Sequence, residues 1–222
     1  MVNRTQYLLL GLLVLLVSSC DGMNDLHEPY LRQGETIYAA KVDSVSVGPG
    51  DGRAKLEVFI KAQRVETVVI YWNQKQNSID YHVGNQTGQF DVMIEGLEED
   101  DYVFQVITKD KYGNTSLPVE CVGKVLGENY KAGLVNRRIS YIEPLGEDGF
   151  RIHFAAAIET AVKSVVSLTG SDNEAGVYEI PVEESTLDIP SCEKFSYYTV
   201  YLPAANAPDA FNSSTTTVSL GN

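Results

Sequence analysis

Cysteine, histidine and clustered acid are the side chains from which a short chain most readily builds chemistry, and in this sequence they are sparse and scattered. Its 222 residues include 3 cysteines (Cys20, Cys121, Cys192) and 3 histidines (His27, His82, His153). No histidine stands three to five positions from another histidine or a cysteine, the spacing that places two ligands on one metal. HExxH, GxSxG, GxGxxG, a P-loop and CxxC are all missing. Glu98-Glu-Asp-Asp101 is a run of acid. A calcium site needs about six to eight oxygens arranged by a curved loop, whereas consecutive side chains diverge, so the run reads as a solvated turn. The expectation is a protein with no catalytic residues, no metal and no cofactor, hence not an enzyme.

Cys20 has a different setting. Arg4 precedes an apolar stretch from Tyr7 to Val17, and Ser18 and Ser19 lead into the cysteine. That is the layout of a secretory signal peptide over residues 1–19, too short for the roughly 20 residues of a membrane-spanning helix. Val17-Ser18-Ser19-Cys20 resembles the bacterial lipobox, with Val where Leu is commoner. The resemblance implies lipidation of Cys20 and cleavage before it, and several acyl chains would then hold the protein at a membrane. Cleavage leaves 203 residues with a net charge of −14, because Arg4 is the only charged side chain removed from 17 basic and 30 acidic ones. So acidic a chain repels polyphosphate and anionic headgroups, which excludes nucleic acid as a partner and a basic membrane-binding face. Asp21, Asp25 and Glu28 follow the cysteine closely. In one large group of Gram-negative bacteria such a cluster resembles a cell-surface export signal, while in enteric-type bacteria Asp directly after the cysteine resembles an inner-membrane retention signal. The sequence that follows favours the outer membrane and its surface.

Residues 20–35 carry the lipidated cysteine and no apolar periodicity, and they read as a flexible tether. The remaining length suits two small domains better than one. Short strand signals then recur with turn chemistry between them, such as Gly48-Pro-Gly-Asp-Gly52, Gly84-Asn85 and Lys111-Tyr-Gly-Asn114. Seven strands are expected from Ile37 to Val125 and seven more from Arg137 to Leu220, the pattern breaking around Gly127–Gly133. The fold class is therefore all-β, two tandem antiparallel β-sandwiches over 36–127 and 134–222. Cys121 and Cys192 fall late in different halves, and buried free thiols are expected rather than a disulfide.

Leu97-Glu-Glu-Asp-Asp-Tyr102-Val-Phe-Gln-Val-Ile-Thr108 with the Gly113 turn resembles the end of a fibronectin type III domain. The likeness implies that Leu97 opens a corner and that Tyr102 bonds back to backbone; the usual Pro of the corner is missing. Cys20-Asp-Gly-Met-Asn-Asp25, Tyr30 and Gly34-Glu-Thr-Ile-Tyr38, with Tyr71-Trp-Asn73, further resemble an uncharacterised lipoprotein family, a domain of unknown function. That family is found in bacteria that use Sus-type glycan uptake. Asp43-Ser44-Val45 resembles the O-glycosylation site of the same bacteria, making Ser44 a candidate; the N-glycosylation triplets at Asn85 and Asn114 are read as chance.

Strand parity then selects candidate surfaces. Tyr102, Phe104 and Val106 should face inward, sending Val103, Gln105 and Ile107 outward. Arg64-Val-Glu-Thr-Val-Val-Ile-Tyr71 laid over Ala161-Val-Lys-Ser-Val-Val-Ser-Leu168 makes Val65, Val69 and Tyr71 the shared core set. Val68, Ile70 and Trp72 are then left outside beside Val103 and Ile107, as an apolar face. Its explanations are cover by the second sandwich, a glycan- or partner-binding surface, or the opposite parity, which buries Trp72. In the second half, Tyr198, Val200 and Leu202 inward would put Tyr197 and Tyr201 outside, two pleats apart on one face, where flat rings stack on sugars. The expected function is a surface-exposed, lipid-anchored binding or spacer module. A glycan or outer-membrane uptake proteins are its partners, and a structural or adhesive surface protein is the alternative.

Overall fold

The computed structural model describes residues 37–168 and 176–220. Cys20, His27 and the stretches read from the sequence as a signal peptide and a tether lie outside them. Ala39–Asn222 is one compact unit. Its first half contributes β1 (Ser44–Pro49), β2 (Arg53–Ile60), β3 (Thr67–Trp72), β4 (Asn77–His82), β5 (Gly88–Glu95), β6 (Asp101–Lys109) and β7 (Val119–Lys124). Helix α1 (Glu128–Gly133) follows. Then come β8 (Ile139–Pro144), β9 (Phe150–Phe154), β10 (Ala161–Leu168), β11 (Val177–Pro181), β12 (Thr186–Ile189), β13 (Lys194–Tyr201), β14 (Phe211–Asn212) and β15 (Thr216–Ser219).

These strands form two antiparallel sandwiches of the same design. A sheet β1-β2-β5 faces a sheet β4-β3-β6-β7, and a sheet β12-β9-β8 faces a sheet β11-β10-β13 whose far edge is shared by β14 and β15. Period-two patterning is the cause: on β2, Ala54, Leu56, Val58 and Ile60 are all buried, while Arg53, Lys55, Glu57 and Phe59 stand on the other face. Opposite them Val68, Ile70, Phe104 and Val106 complete the first core. Ile152, Val166, Ile180, Phe195 and Tyr197 build the second. Each such side chain removed from water contributes about 1.5–3 kcal/mol. The sheets close tightly where β7 passes β1, since a β-carbon on Gly123 would overlap the Val47 side chain.

A buried polar pin recurs in both sandwiches and marks their kinship better than the apolar pattern does. Thr108 N donates to Ser116 Oγ at 3.0 Å, and Thr199 N donates to Ser213 Oγ at 2.8 Å. In return Ser116 N and Ser213 N donate to the Thr108 and Thr199 carbonyls at 3.0 and 2.9 Å. Each threonine hydroxyl also ties down the segment that enters its sandwich, Thr108 donating to Ala40 O at 2.6 Å and Thr199 accepting from Arg137 N at 2.8 Å. Thr199→Val would leave Arg137 N buried without an acceptor, so a loss of about 1–3 kcal/mol is expected in denaturant unfolding.

The two sandwiches are locked to each other. Leu126, Ala161, Tyr201 and Phe211 form a third apolar cluster with Tyr130 and Leu134 against it. Asp209, in the loop before β14, takes a bidentate grip from the Arg53 guanidinium, with Nε to Oδ2 at 2.9 Å, and accepts Asp51 N at 2.9 Å. Lys131 on α1 reaches Asp51 at 2.7 Å. Glu99, from the acidic run, caps the start of α1 by accepting Asn129 N and Tyr130 N at 2.7 Å each. One member of the supposed solvated turn is thus a structural tie.

Candidate functional site

The outer face of the β4-β3-β6-β7 sheet carries the candidate site, built from the end of β3 and the middle of β6. Tyr71 and Gln105 lie directly opposite each other across the β3–β6 ladder, with Ser78 on β4 and Glu120 on β7 continuing the row. Gln105 Nε2 donates to Glu120 at 2.6 Å, which fixes the amide and leaves Gln105 Oε1 buried with no donor. An orphaned acceptor of this kind costs about 1–3 kcal/mol, which a ligand hydroxyl would relieve after a small shift of the Gln105 side chain that uncovers Oε1. Beside it a hollow of about 320 Å³ is lined by Tyr71, Trp72, Gln74, Lys75, Val103 and Gln105. That is the lower end of the size range of small-molecule sites.

The loop that walls this hollow is held in an unusual shape. Asn73, Gln74 and Lys75 all have positive φ, at 50°, 55° and 67°. Left-handed backbone without glycine is unfavourable, and three consecutive residues of it concentrate strain at the tip of the β3–β4 hairpin. Asn73 Nδ2 donates to Asn77 Oδ1 at 3.0 Å across the loop, and the Lys75 ammonium lies 5.9 Å from the Tyr71 ring centroid. A second hollow of about 570 Å³ shares Trp72 and is lined by Asn73, Asn77, Glu95, Glu98, Asp100 and Asp101. Because successive side chains of a strand point to opposite faces, Tyr71 and Trp72 set the end of β3 as the ridge between the two hollows.

Parity separates this site from the one the sequence suggests. Val68 and Ile70 are fully buried in the first core, and Trp72 packs against it half-buried, so none of the three belongs to an exposed apolar face. Ile70 sits opposite Val106, and directly opposed residues share a face, so the inward Val106 carries Ile70 inward with it. Val69 is also buried, with Asp80 and Ile107 directly opposite, which removes the alternation that would have disclosed the register. The overlay of the two halves was one residue out, and a one-residue slip inverts every side chain. Val103 is 52% exposed, facing Val122 at 72%, and Ile107 is half-buried, both on the outer face as expected.

The second aromatic pair falls the same way. Tyr197 is in the second core and Tyr201 in the cluster between the sandwiches, where its hydroxyl donates to Val135 O. Burial pushes both phenols above the ordinary tyrosine pKa. Neither can stack on a ligand, because Phe195, Tyr197, Thr199 and Tyr201 form the inward row of β13. Ser44 is exposed at the start of β1. Cys121 and Cys192 are free and half-buried, burial pushing the Cys121 thiol up to about 11. His82 lies 3.6 Å from Glu66, and His153 stacks on Tyr141 with centroids 4.0 Å apart. Among the described residues no three His, Cys, Asp or Glu side chains are grouped to hold a metal. Gln74 and Lys75 escaped sequence analysis; strand parity does put Gln105 outward between Val103 and Ile107, as the structure has it, but gives it no role.

The fold and site together define a tandem antiparallel β-sandwich with a polar-aromatic hollow on its first domain, and Tyr102 supplies the corner bond, its hydroxyl donating to Glu98 O at 3.2 Å. The chain belongs to the DUF4998 family, a domain of unknown function, whose pattern matches residues 20–211. No curated protein is detectably similar in sequence. Among solved structures it is similar to a segment of two fibronectin type III domains from chicken tenascin, at 8% identity and a TM-score of 0.34, covering 82% of this chain and 100% of that one. It is also similar to the FN1–FN3 domains of chicken CNTN1, at 10% identity and a TM-score of 0.43, covering 83% of this chain and 65% of that one.

Proposed function

We propose that this protein is a non-enzymatic surface module, anchored by lipid on Cys20 to the outer membrane and presenting the Tyr71–Gln105 hollow to a glycan. The observation that carries the ligand class is the orphaned Gln105 Oε1 beside an aromatic side chain. Sugars offer hydroxyl donors around an apolar ring face, and an amide acceptor next to tyrosine meets both. The membrane attachment is supported by the lipobox-like Val17–Cys20 and by the acidity of the chain, which leaves lipid as the means of attachment.

The locked junction favours a second role compatible with the first, a stiff spacer that holds a partner protein of an uptake complex away from the membrane. Arg53, Asp209 and the Tyr201–Phe211 cluster limit hinge motion between the sandwiches. Two experiments test the proposal. Cys20→Ser is expected to move the protein out of the membrane fraction or to stall it as the uncleaved precursor; a membrane-bound product of normal mature size refutes the anchor. On a glycan array the full chain in detergent is expected to retain at least one polysaccharide, with Tyr71→Ala losing most of that signal. Equal retention by the variant refutes the site.

A further inference from the structure

We infer that the site on the first sandwich selects uncharged glycan chains and turns away uronate-containing or sulfated ones. The inference rests on the glycan reading above and deepens it. Every side chain that can meet a ligand across the two hollows is an aromatic, an amide or an acid, apart from Val103, Leu97 and Lys75. Lys75 is already engaged over the Tyr71 ring, and Glu120, hydrogen-bonded to Gln105, adds an opposing charge next to the lining of that hollow.

On the far side of Trp72 the balance is one-sided. Of the four acids there, Glu95 is paired with Arg53 at 3.2 Å and Asp101 with Lys124 at 3.5 Å. Glu98 and Asp100 have no basic partner among the described residues. Carboxylates and amide oxygens accept hydrogen bonds from hydroxyls at no electrostatic cost to a neutral sugar. A carboxylate or sulfate on the ligand would meet two uncompensated charges in a recess, where field lines concentrate and like-charge contact is strongly unfavourable. The net charge of −13 over the whole chain extends the same repulsion to the approach of an anionic polymer.

The test titrates the full chain in detergent with length-matched oligosaccharides. The neutral set is glucan, mannan, galactan and xylan; the acidic set is polygalacturonate, alginate and dextran sulfate. The expected result is that at least one neutral chain binds and that every acidic chain binds about tenfold more weakly or worse at low salt. That gap should narrow severalfold in ~0.5 M salt, where the screening length falls below about 5 Å. It should narrow likewise in the double variant Glu98→Gln/Asp100→Asn, which keeps the acceptors and removes the charge. An acidic chain that binds as tightly as the best neutral one overturns the inference and leaves the glycan site standing. So does a gap indifferent to both salt and the double variant. Failure of all seven chains to bind overturns the glycan reading itself.

Discussion

Gly48→Ala is expected to part the two sandwiches. Gly48 lies on β1 where the loop after β13 crosses it, and a β-carbon there would overlap the Asn206 carbonyl oxygen. The neighbouring atom is backbone, so no rotamer change can relieve the overlap; one chain must withdraw. Asn206 stands three residues before Asp209, so withdrawal also pulls Asp209 from Arg53 and Asp51. The cost is about 1–3 kcal/mol, concentrated at the junction rather than in either core. Thermal unfolding is expected to change from one transition to two, with a larger radius of gyration in solution scattering. Gly133→Ala, whose β-carbon would meet nothing within 4 Å, is the neutral control. A single unshifted transition in Gly48→Ala contradicts the locked junction.

Acid should loosen the same contact. The Arg53 guanidinium holds the Asp209 carboxyl below the usual aspartate range, with the Asp51 amide helping. A folded-state pKa below the unfolded one means that the stabilisation is complete above about pH 4 and is lost as pH falls through the folded value. Arg53, whose pKa these same partners raise, stays charged throughout. The two-transition behaviour of Gly48→Ala should therefore emerge in the parent protein below about pH 4.

Ile70→Ala is expected to remove about 2–5 kcal/mol of stability from the first sandwich, because Ile70 is fully buried between the sheets. Its neighbour Tyr71 is half-buried on the opposite face, so Tyr71→Ala should cost well under half as much in stability while removing most of the glycan retention. Equilibrium denaturation of both variants decides the parity of β3 directly. The reverse ranking would return Ile70 to the surface.

How far the sequence disclosed this molecule varies with the physics behind each feature. The strands were legible because period-two burial and Gly/Asn turns are local signals: seven are expected from Ile37 to Val125, where β1–β7 run, and seven from Arg137 to Leu220, where β8–β15 add only the short β14. The corner was legible too, through Leu97 and Tyr102. Face assignment was not, because Val68, Val69 and Ile70 are all buried, and a central strand covered on both sides carries no alternation to read. The same holds on β13, where Thr199, Val200 and Tyr201 are buried in succession. The short β14 and helix α1 were missed because they are set by tertiary contact: Phe211 is strand only through its pairing with Tyr201, and α1 is capped by Glu99 from thirty residues upstream. Leu202–Ala210 looks like an ordinary Pro- and Ala-rich loop, yet it carries Asn206 and Asp209. Gln105 gained meaning only when Glu120 was seen to fix its amide and leave Oε1 unmatched.

Trp72 is the only tryptophan of the chain, so its emission reports on one place, the ridge between the two hollows. Titrating the full chain with its bound neutral glycan while following tryptophan fluorescence is the most direct test of the site. A saturable change in Trp72 emission, with the same midpoint as binding and absent in Tyr71→Ala, is the expected result. Glycan binding of undiminished strength that leaves Trp72 emission unchanged would place the ligand elsewhere and contradict the account.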